Sequence, residues 1–351
     1  MFEMEKLNAR RSFFDRNLID VNKIYLLTAA TVLFVCLNLI KSQRDFSDTD
    51  TYLFYIDSIY FFRTSDWWRF ESLSKALMIV FRDLTADSEK AVYFLRYLLI
   101  YAFPFSIYYV YRKSSWRALA IAMALYGPLL GLITIRATPA YILAAIAAIS
   151  AIEGRWRSIP ILLAGFLFHV STALAVPAIL VTLAFKKFGL VNIKSRYIFA
   201  TFFILTSLYA VLGSLGIQSA VDFIGSFSYL SKYTVYIPEA NSANVAEESG
   251  SVVIHYVFMG ATVGLGLFLI YMANENQGVD KIFIAISLFL YVILFLLSSP
   301  VVSLRYSPFF VIPALARIDF SFKGGWSYFT GFLIFILSLI VFSINVNLAI
   351  L

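Results

Sequence analysis

Three isolated ionisable residues, Arg136, His169 and Arg305, each lie at the edge of a long apolar stretch or within one. A guanidinium group grips phosphate oxygens through two parallel hydrogen bonds, and a neutral imidazole accepts a proton near neutral pH. A charge at membrane depth is costly, so it usually faces the protein interior or a water-filled cavity. These residue types predict a polar site for a phosphorylated substrate, and the two arginines suggest a diphosphate.

Each of these residues also has a simpler interpretation. An arginine at a helix end can snorkel to lipid headgroups, and a lone histidine in an apolar run is more often a packing residue. Arg136 ends an apolar run in a very short connection, where an arginine on the outer side runs against the positive-inside bias. Arg305 lies among Pro300, Pro308 and Pro313, which we expect to interrupt a helix and expose carbonyls to a hydrated pocket. These contexts favour function for both arginines.

A polar segment follows the first apolar run, with acidic residues at positions 45, 48 and 50. Such residues usually form a solvated loop. A carboxylate here also suits a base that deprotonates a sugar hydroxyl, or a ligand of a divalent ion. Asp50, Tyr52 and Tyr55 are the subset that we favour. Arg96, in the next apolar run, is expected either to pair with an outer carboxylate or to snorkel.

The composition requires lipid as solvent for much of the chain. Of 351 residues, 61% are hydrophobic and 14% are charged, too few polar groups to cover the surface. We predict an all-α, polytopic integral membrane protein of about 10–12 transmembrane helices, forming one membrane domain over residues 1–351. The net charge of +7 arises from basic residues scattered in short loops, so it does not indicate a nucleic-acid partner.

The positions of the basic residues predict the topology. The tail 1–23 is rich in lysine and arginine and is placed in the cytoplasm, which puts segments 41–90 and 217–250 outside. The run 158–185 must then enter and leave on the same side, but its 28 residues are short for two full spans. We predict a bent pair of short helices with His169 near the turn. One long tilted helix is the alternative, and it would reverse the topology of everything downstream.

The first outer segment, 41–90, contains a predicted amphipathic helix. Apolar residues recur at helical spacing from Phe70 to Leu84, and Glu71 and Lys75 form a favourable pair four residues apart. Trp67 and Trp68 precede them, which is typical of a helix lying in the membrane interface. Its role is either an anchor or a lid or guide for a lipid-linked substrate.

Several familiar kinds of site are absent from the sequence. The chain has one cysteine and two histidines, and it lacks a Walker A loop, a dinucleotide glycine fingerprint, a nucleophile elbow and an HExxH helix. No predicted cytoplasmic loop is long enough for a nucleotide-binding domain. An already activated substrate must therefore supply the energy for any reaction.

The series of motifs resembles that of the EpsG family of Wzy-like polysaccharide polymerases. The order and spacing agree over residues 45–310, although each motif is short. The matching segments are Asp48-Thr49-Asp50-Thr51-Tyr52-Leu53-Phe54-Tyr55, Phe70-Glu71-Ser72-Leu73, Ile135-Arg136, Phe168-His169-Val170-Ser171 and Arg305-Tyr306. The family often has glutamine after the arginine, whereas Ala137 follows here.

The resemblance implies a bacterial inner-membrane enzyme that polymerises O-antigen or exopolysaccharide. It would transfer the growing glycan from undecaprenyl pyrophosphate onto a sugar hydroxyl of a lipid-linked repeat unit, at the periplasmic or outer face. Arg136 and Arg305 would neutralise the diphosphate leaving group, and His169 or Asp50 would accept the proton.

Further expectations follow from the same resemblance. Substrate-binding roles are expected for Glu71, Arg96, Tyr52 and Tyr306. The scheme requires no metal and no cofactor. The expected partners are the undecaprenyl-pyrophosphate-linked oligosaccharide and membrane lipids, with a chain-length regulator and a flippase as further candidates.

Two other functions stay open. A glycosyltransferase using a polyprenyl-phosphate sugar shares the acidic outer segment, and it would transfer one sugar and depend on a metal. A flippase or transporter of lipid-linked glycans is the second alternative. Transporters tend to have repeated halves and broken helices near the membrane midplane. No repeated halves are evident in this sequence, which makes the transporter the weaker alternative.

Overall fold

The computed structural model describes residues 49–61, 71–191, 193–212, 252–273, 277–297, 300–318 and 326–350, and five positions of the first apolar run, 24, 28, 31, 32 and 35. All regular secondary structure in this part of the chain is helical. Several predictions concern residues outside it, namely the tail 1–23, Asp45, Asp48, Trp67, Trp68 and the loop 217–250.

The described helices are numbered in chain order. They are α1 (Thr49–Phe61), α2 (Ser72–Thr85), α3 (Ser88–Tyr111), α4 (Trp116–Pro128) with a π-helical end (Leu129–Ile133), α5 (Thr138–Ile152), α6 (Ser158–Phe168), a 3₁₀ turn (Val170–Leu174), α7 (Ala175–Lys187), α8 (Ser195–Leu212), α9 (Val252–Met272), α10 (Gly278–Leu297), α11 (Pro300–Arg317) and α12 (Trp326–Ile350).

Five stretches within the described residues are long and apolar enough to cross a membrane. They are Ser88–Tyr111, Trp116–Ile133, Val170–Lys187, Gly278–Phe295 and Tyr328–Val346. Three shorter apolar helices accompany them, at Thr138–Ile152, Ser158–Phe168 and Val257–Met272. The predicted all-α, polytopic membrane fold is thereby confirmed, and the number of spans in the whole chain stays a prediction.

The helix predicted in the first outer segment is present as α2. Its 14 residues extend about 21 Å, which is too short to cross a hydrocarbon core of about 30 Å. Ser74 and Lys75 lie on its buried side, where α2 packs on α1 and α3, while Val80 and Leu84 are exposed. Met78 is also buried, so α2 meets the core with both polar and apolar residues. The apolar residues that it exposes suit a helix that meets lipid.

The prediction for residues 50–55 needs correction, because Asp50, Tyr52 and Tyr55 belong to helix α1 and not to a solvated loop. Tyr52 and Ile56 are buried, and Asp50 is exposed. The spacing of these two buried residues is that of one helix face. The acidic residues around it obscured that periodicity in the sequence.

The run 158–185 is divided as predicted. Helix α6 ends at Phe168, His169 is not helical, and the 3₁₀ turn leads into α7. Pro177 lies in the first turn of α7, where a proline is tolerated, and it lacks the N–H that would continue a helix from upstream. The predicted break at His169 is therefore observed. The bend and the return to the same side of the membrane stay predictions, because Val170–Lys187 is by itself long and apolar enough to cross.

The chain divides into two compact units. The first comprises residues 1–146, 160–170 and 319–351, and the second comprises 147–159 and 171–318. In the first unit α12 packs along α4, where the Asn345 amide donates to the carbonyl of Ala124 at 2.7 Å. In the second unit α10 contacts α7, α8, α9 and α11. That residues 1–351 form one membrane domain stays a prediction.

Candidate functional site

Arg136 lies in the first unit, in the turn between the π-helical end of α4 and α5. The backbone N–H and hydroxyl of Thr134 donate to the carbonyl of Leu129 at 2.9 and 3.0 Å. The hydroxyl of Thr138 donates to the carbonyl of Leu130 at 2.7 Å. A π-helical segment disturbs the regular backbone ladder, and these two threonines satisfy the carbonyls that it leaves. The turn that carries Arg136 is therefore fixed.

The guanidinium of Arg136 is held between a carboxylate and an aromatic ring. Its Nη1 lies 3.6 Å from Oε2 of Glu71, with the side chains 20% and 5% exposed respectively. The guanidinium carbon lies 5.2 Å from the centre of the Tyr55 ring, within cation–π range. A guanidinium has five N–H donors in a fixed fork. With Nη1 facing Glu71 and a fifth of the side chain exposed, this guanidinium has the donor set that an anion would need.

His169 is fixed by contacts on both of its neighbours. Oε1 of Glu71 accepts a hydrogen bond from the backbone N–H of Val170 at 3.1 Å. The hydroxyl of Ser74 donates to the carbonyl of Phe168 at 2.5 Å. Glu71 and His169 also attract each other electrostatically. The first turn of α2 thus brings Glu71, Arg136 and His169 together.

Burial and charge act on Glu71 in opposite directions. Desolvation favours the neutral acid and by itself raises the pKa of Glu71. The positive charge of Arg136, the attraction of His169 and the N–H of Val170 outweigh it, so the pKa of Glu71 lies below its ordinary value of 4.5. Glu71 is accordingly ionised at neutral pH.

Lys75, one turn after Glu71, is buried and interacts with it electrostatically, in line with the predicted pair. Desolvation lowers the pKa of Lys75, although the charge of Glu71 acts to raise it. The two oxygens of Glu71 face Val170 and Arg136. Pairing along α2 is therefore a secondary role of this carboxylate.

Arg96 on α3 is completely buried. Its Nε donates to the carbonyl of Leu132 at 3.0 Å, and its Nη2 donates to the hydroxyl of Thr49 at 2.5 Å. It therefore ties α3 both to the start of α1 and to the segment that precedes Arg136. These contacts give Arg96 a positioning role, and its predicted contact with substrate stays a prediction.

The residues of α1 differ in their exposure. Asp50 is exposed, Tyr52 is buried in the core formed by α1, α2 and α3, and Tyr55 faces Arg136. The predicted catalytic role of Asp50 and substrate-binding role of Tyr52 are not tested. Within the described residues, no three His, Cys, Asp or Glu side chains are grouped so as to hold a metal ion.

Arg305 and Tyr306 belong to the second unit, on α11. Arg305 is exposed, and Tyr306 is buried with its ring 5.7 Å from that of Phe310. The expected interruption at Pro308 and Pro313 is wrong, because both prolines lie inside the continuous helix α11. Membrane helices tolerate proline since neighbouring groups and local backbone adjustments satisfy the freed carbonyls. The joint action of Arg305 and Arg136 on one diphosphate stays a prediction.

Sequence reasoning did not single out Thr134, Thr138 or Ser74. The two threonines flank Arg136 symmetrically, and Ser74 follows Glu71 by three residues. That spacing places Ser74 on the same side of α2 as Glu71. Such spacings are weak signals, and the partner of Ser74 lies 94 residues away.

The comparison with protein families gives one result for nearly the whole chain. The EpsG family model matches residues 23–350, a span that contains every residue of the site. No curated protein and no solved structure matches the chain. The chain therefore belongs to the EpsG family, a family of Wzy-like polysaccharide polymerases.

Proposed function

We propose that this protein is a glycosyltransferase that extends a polysaccharide at the outer face of the bacterial inner membrane. It transfers the growing glycan from undecaprenyl pyrophosphate onto a sugar hydroxyl of a lipid-linked repeat unit. Family membership supports polysaccharide polymerisation in general. The observation that carries the specific reaction is the partly exposed guanidinium of Arg136, linked through Glu71 to His169.

In this reaction the acceptor hydroxyl oxygen bonds to the anomeric carbon of the growing glycan, and the bond from that carbon to the diphosphate oxygen breaks. Negative charge develops on the departing diphosphate, where a preorganised guanidinium is most effective. Arg136 supplies that group. Glu71 and the face of Tyr55 hold it before substrate arrives.

The hydroxyl proton is proposed to pass to the imidazole of His169. An imidazole that gains a proton is stabilised by a nearby carboxylate, and Glu71 is that carboxylate. The opposite charges of Glu71 and Arg136 cancel. Protonation of His169 therefore adds one positive charge to the site while the diphosphate takes on negative charge. Asp50, exposed on α1, is the alternative base. Arg305 is proposed to neutralise the second phosphate.

The exposed apolar residues of helix α2 support the proposal of a lipid-linked substrate. The turn that begins α2 contacts the residues of the site, and the same helix exposes Leu73, Val80 and Leu84. An exposed apolar stripe in a membrane protein faces lipid. A polyprenyl chain lying along this stripe would place its diphosphate at the level of Arg136.

The function is tested in cells that lack the protein, restored with wild type, Arg136→Ala or His169→Ala. Arg157→Ala is the matched control, since Arg157 is exposed and lies in the turn between α5 and α6. We expect a polysaccharide ladder with wild type and control. Each site variant should give a single capped repeat at equal protein level, because synthesis and flipping continue.

Other outcomes assign other functions. A truncated or missing repeat in cells that lack the protein would favour the single-sugar transferase or the flippase. A full ladder in cells that lack the protein would exclude the polymerase. A ladder of wild-type length in both site variants would remove Arg136 and His169 from the mechanism.

A further inference from the structure

We infer that Glu71 and Ser74 are positioning residues that hold His169 at the helix break and couple it to Arg136. This inference rests on the proposed function, because it assigns roles around the same reaction. This positioning role at the start of α2 differs from that of a membrane anchor, a lid or a residue that contacts substrate directly.

The first support is the backbone around His169. A helix end leaves carbonyls and N–H groups without partners inside the helix, and a buried group of this kind is costly when it stays unpaired. Ser74 donates to the carbonyl of Phe168, the last residue of α6, and Glu71 accepts from the N–H of Val170, the first residue of the 3₁₀ turn. Two residues at the start of α2 therefore form hydrogen bonds with the backbone immediately before and immediately after His169.

The second support is the way Glu71 uses its two oxygens. Oε1 is bonded to the Val170 N–H, while Oε2 is buried and accepts no hydrogen bond from the described residues. Nη1 of Arg136 lies 3.6 Å from this second oxygen, beyond a good hydrogen bond. Oε2 is thus placed to respond to a change of charge on either Arg136 or His169. When Arg136 engages a phosphate, the carboxylate is available to the protonated imidazole.

A purely structural role makes different predictions. Glu71→Gln retains the size of the side chain and an oxygen for the Val170 N–H but removes the negative charge. Ser74→Ala removes only the hydroxyl bound to the carbonyl of Phe168. If both residues serve only folding, these variants lower the yield or thermal stability, and the folded fraction works normally.

The experiment measures kcat, KM and the pH profile of purified protein in lipid nanodiscs, with a lipid-diphosphate-linked repeat unit as substrate. For Glu71→Gln we expect kcat to fall about 10²-fold or more with little change in KM. We also expect the acidic limb of the pH profile to move to lower pH, because a carboxylate stabilises a protonated imidazole. Glu89→Gln, an exposed carboxylate in the first turn of α3, is the matched control.

Ser74→Ala keeps the inference testable where Glu71→Gln fails to fold. We expect about a tenfold lower kcat for it with unchanged KM, which corresponds to the loss of one hydrogen bond. Unchanged kcat and pH profile in the folded variants would overturn the inference. A change confined to KM would also overturn it, because it would make Glu71 a substrate-binding residue. Failure of folded wild type to form polymer would instead contradict the proposed function.

Discussion

Replacement of Arg96 by methionine tests whether this residue positions the site or binds substrate. Methionine has a similar length and no charge, so it retains much of the packing but donates no hydrogen bond. The completely buried guanidinium donates to the carbonyl of Leu132 and to the hydroxyl of Thr49. Both acceptors would lose a donor in the variant, in a place that water does not reach.

The expected size of the effect follows from those two bonds. A hydrogen bond to a charged group contributes about 1.5–3 kcal/mol, so the loss of two corresponds to about 3–6 kcal/mol of unfolding free energy. Thr49→Val removes only one of the acceptors and is expected to cost roughly half as much. Arg112→Met is the matched control, since Arg112 is exposed at the end of the same helix and lies over the Tyr109 ring at 4.6 Å. It should change stability by no more than about 1 kcal/mol.

The assay is equilibrium unfolding of the purified proteins in detergent, followed by tryptophan fluorescence, together with polymerisation rates of the folded fraction. The expected order of stability is wild type and Arg112→Met, then Thr49→Val, then Arg96→Met. The folded Arg96→Met protein should also be slower, because Leu132 leads into the turn that carries Arg136. Wild-type stability in Arg96→Met would refute this reasoning, and a raised KM alone would assign Arg96 to substrate binding.

Three further predictions concern the charged side chains of Arg136, Arg317 and Glu71. Arg136→Lys retains the positive charge but loses the planar pair of donors that binds two phosphate oxygens. Initial polymerisation rates should therefore fall about tenfold, which is less than in Arg136→Ala. A rate equal to that of wild type would contradict a role of Arg136 on phosphate oxygens. Arg317→Met leaves Asp280 buried without its bidentate partner and should destabilise the protein by about 3–5 kcal/mol in the unfolding assay. An unchanged unfolding midpoint would contradict this role of the ion pair. The pKa of Glu71 is lowered by folding, so its ionised form stabilises the protein above pH 4.5 and this contribution disappears as the pH falls through the lower folded-state value. The difference in thermal midpoint between wild type and Glu71→Gln should therefore narrow in acid, and a constant difference would disprove the linkage.

Most of the described helices were predictable because hydrophobic runs and charge placement are local properties of the sequence. The divided run at His169 followed from two simple constraints, the side on which basic residues lie and the rise of a helix per residue. Helix α1 was missed because acidic residues lie before its apolar residues and among them. Pro308 and Pro313 were taken as interruptions, although a packed membrane helix accommodates them.

The sequence indicated the residue types of the candidate site but not the contacts among them. Charge at membrane depth singled out Arg136 and His169, and the family motif added Glu71. The contact of Glu71 with Val170 spans 99 residues, and that of Ser74 with Phe168 spans 94. No periodicity or local spacing encodes such pairings. Local sequence alone therefore named the proposed reacting groups and left out the residues that contact them.

The central claim is that Arg136 and His169 carry out glycan transfer from a lipid diphosphate. The most direct measurement supplies purified wild type, Arg136→Ala, His169→Ala and the Arg157→Ala control with a lipid-diphosphate-linked repeat unit, and follows glycan length together with released lipid diphosphate. The account predicts that wild type and control release one lipid diphosphate for each repeat added, and that both site variants are at least about 10²-fold slower at equal amounts of folded protein. Polymer formation at the wild-type rate by either site variant would contradict it.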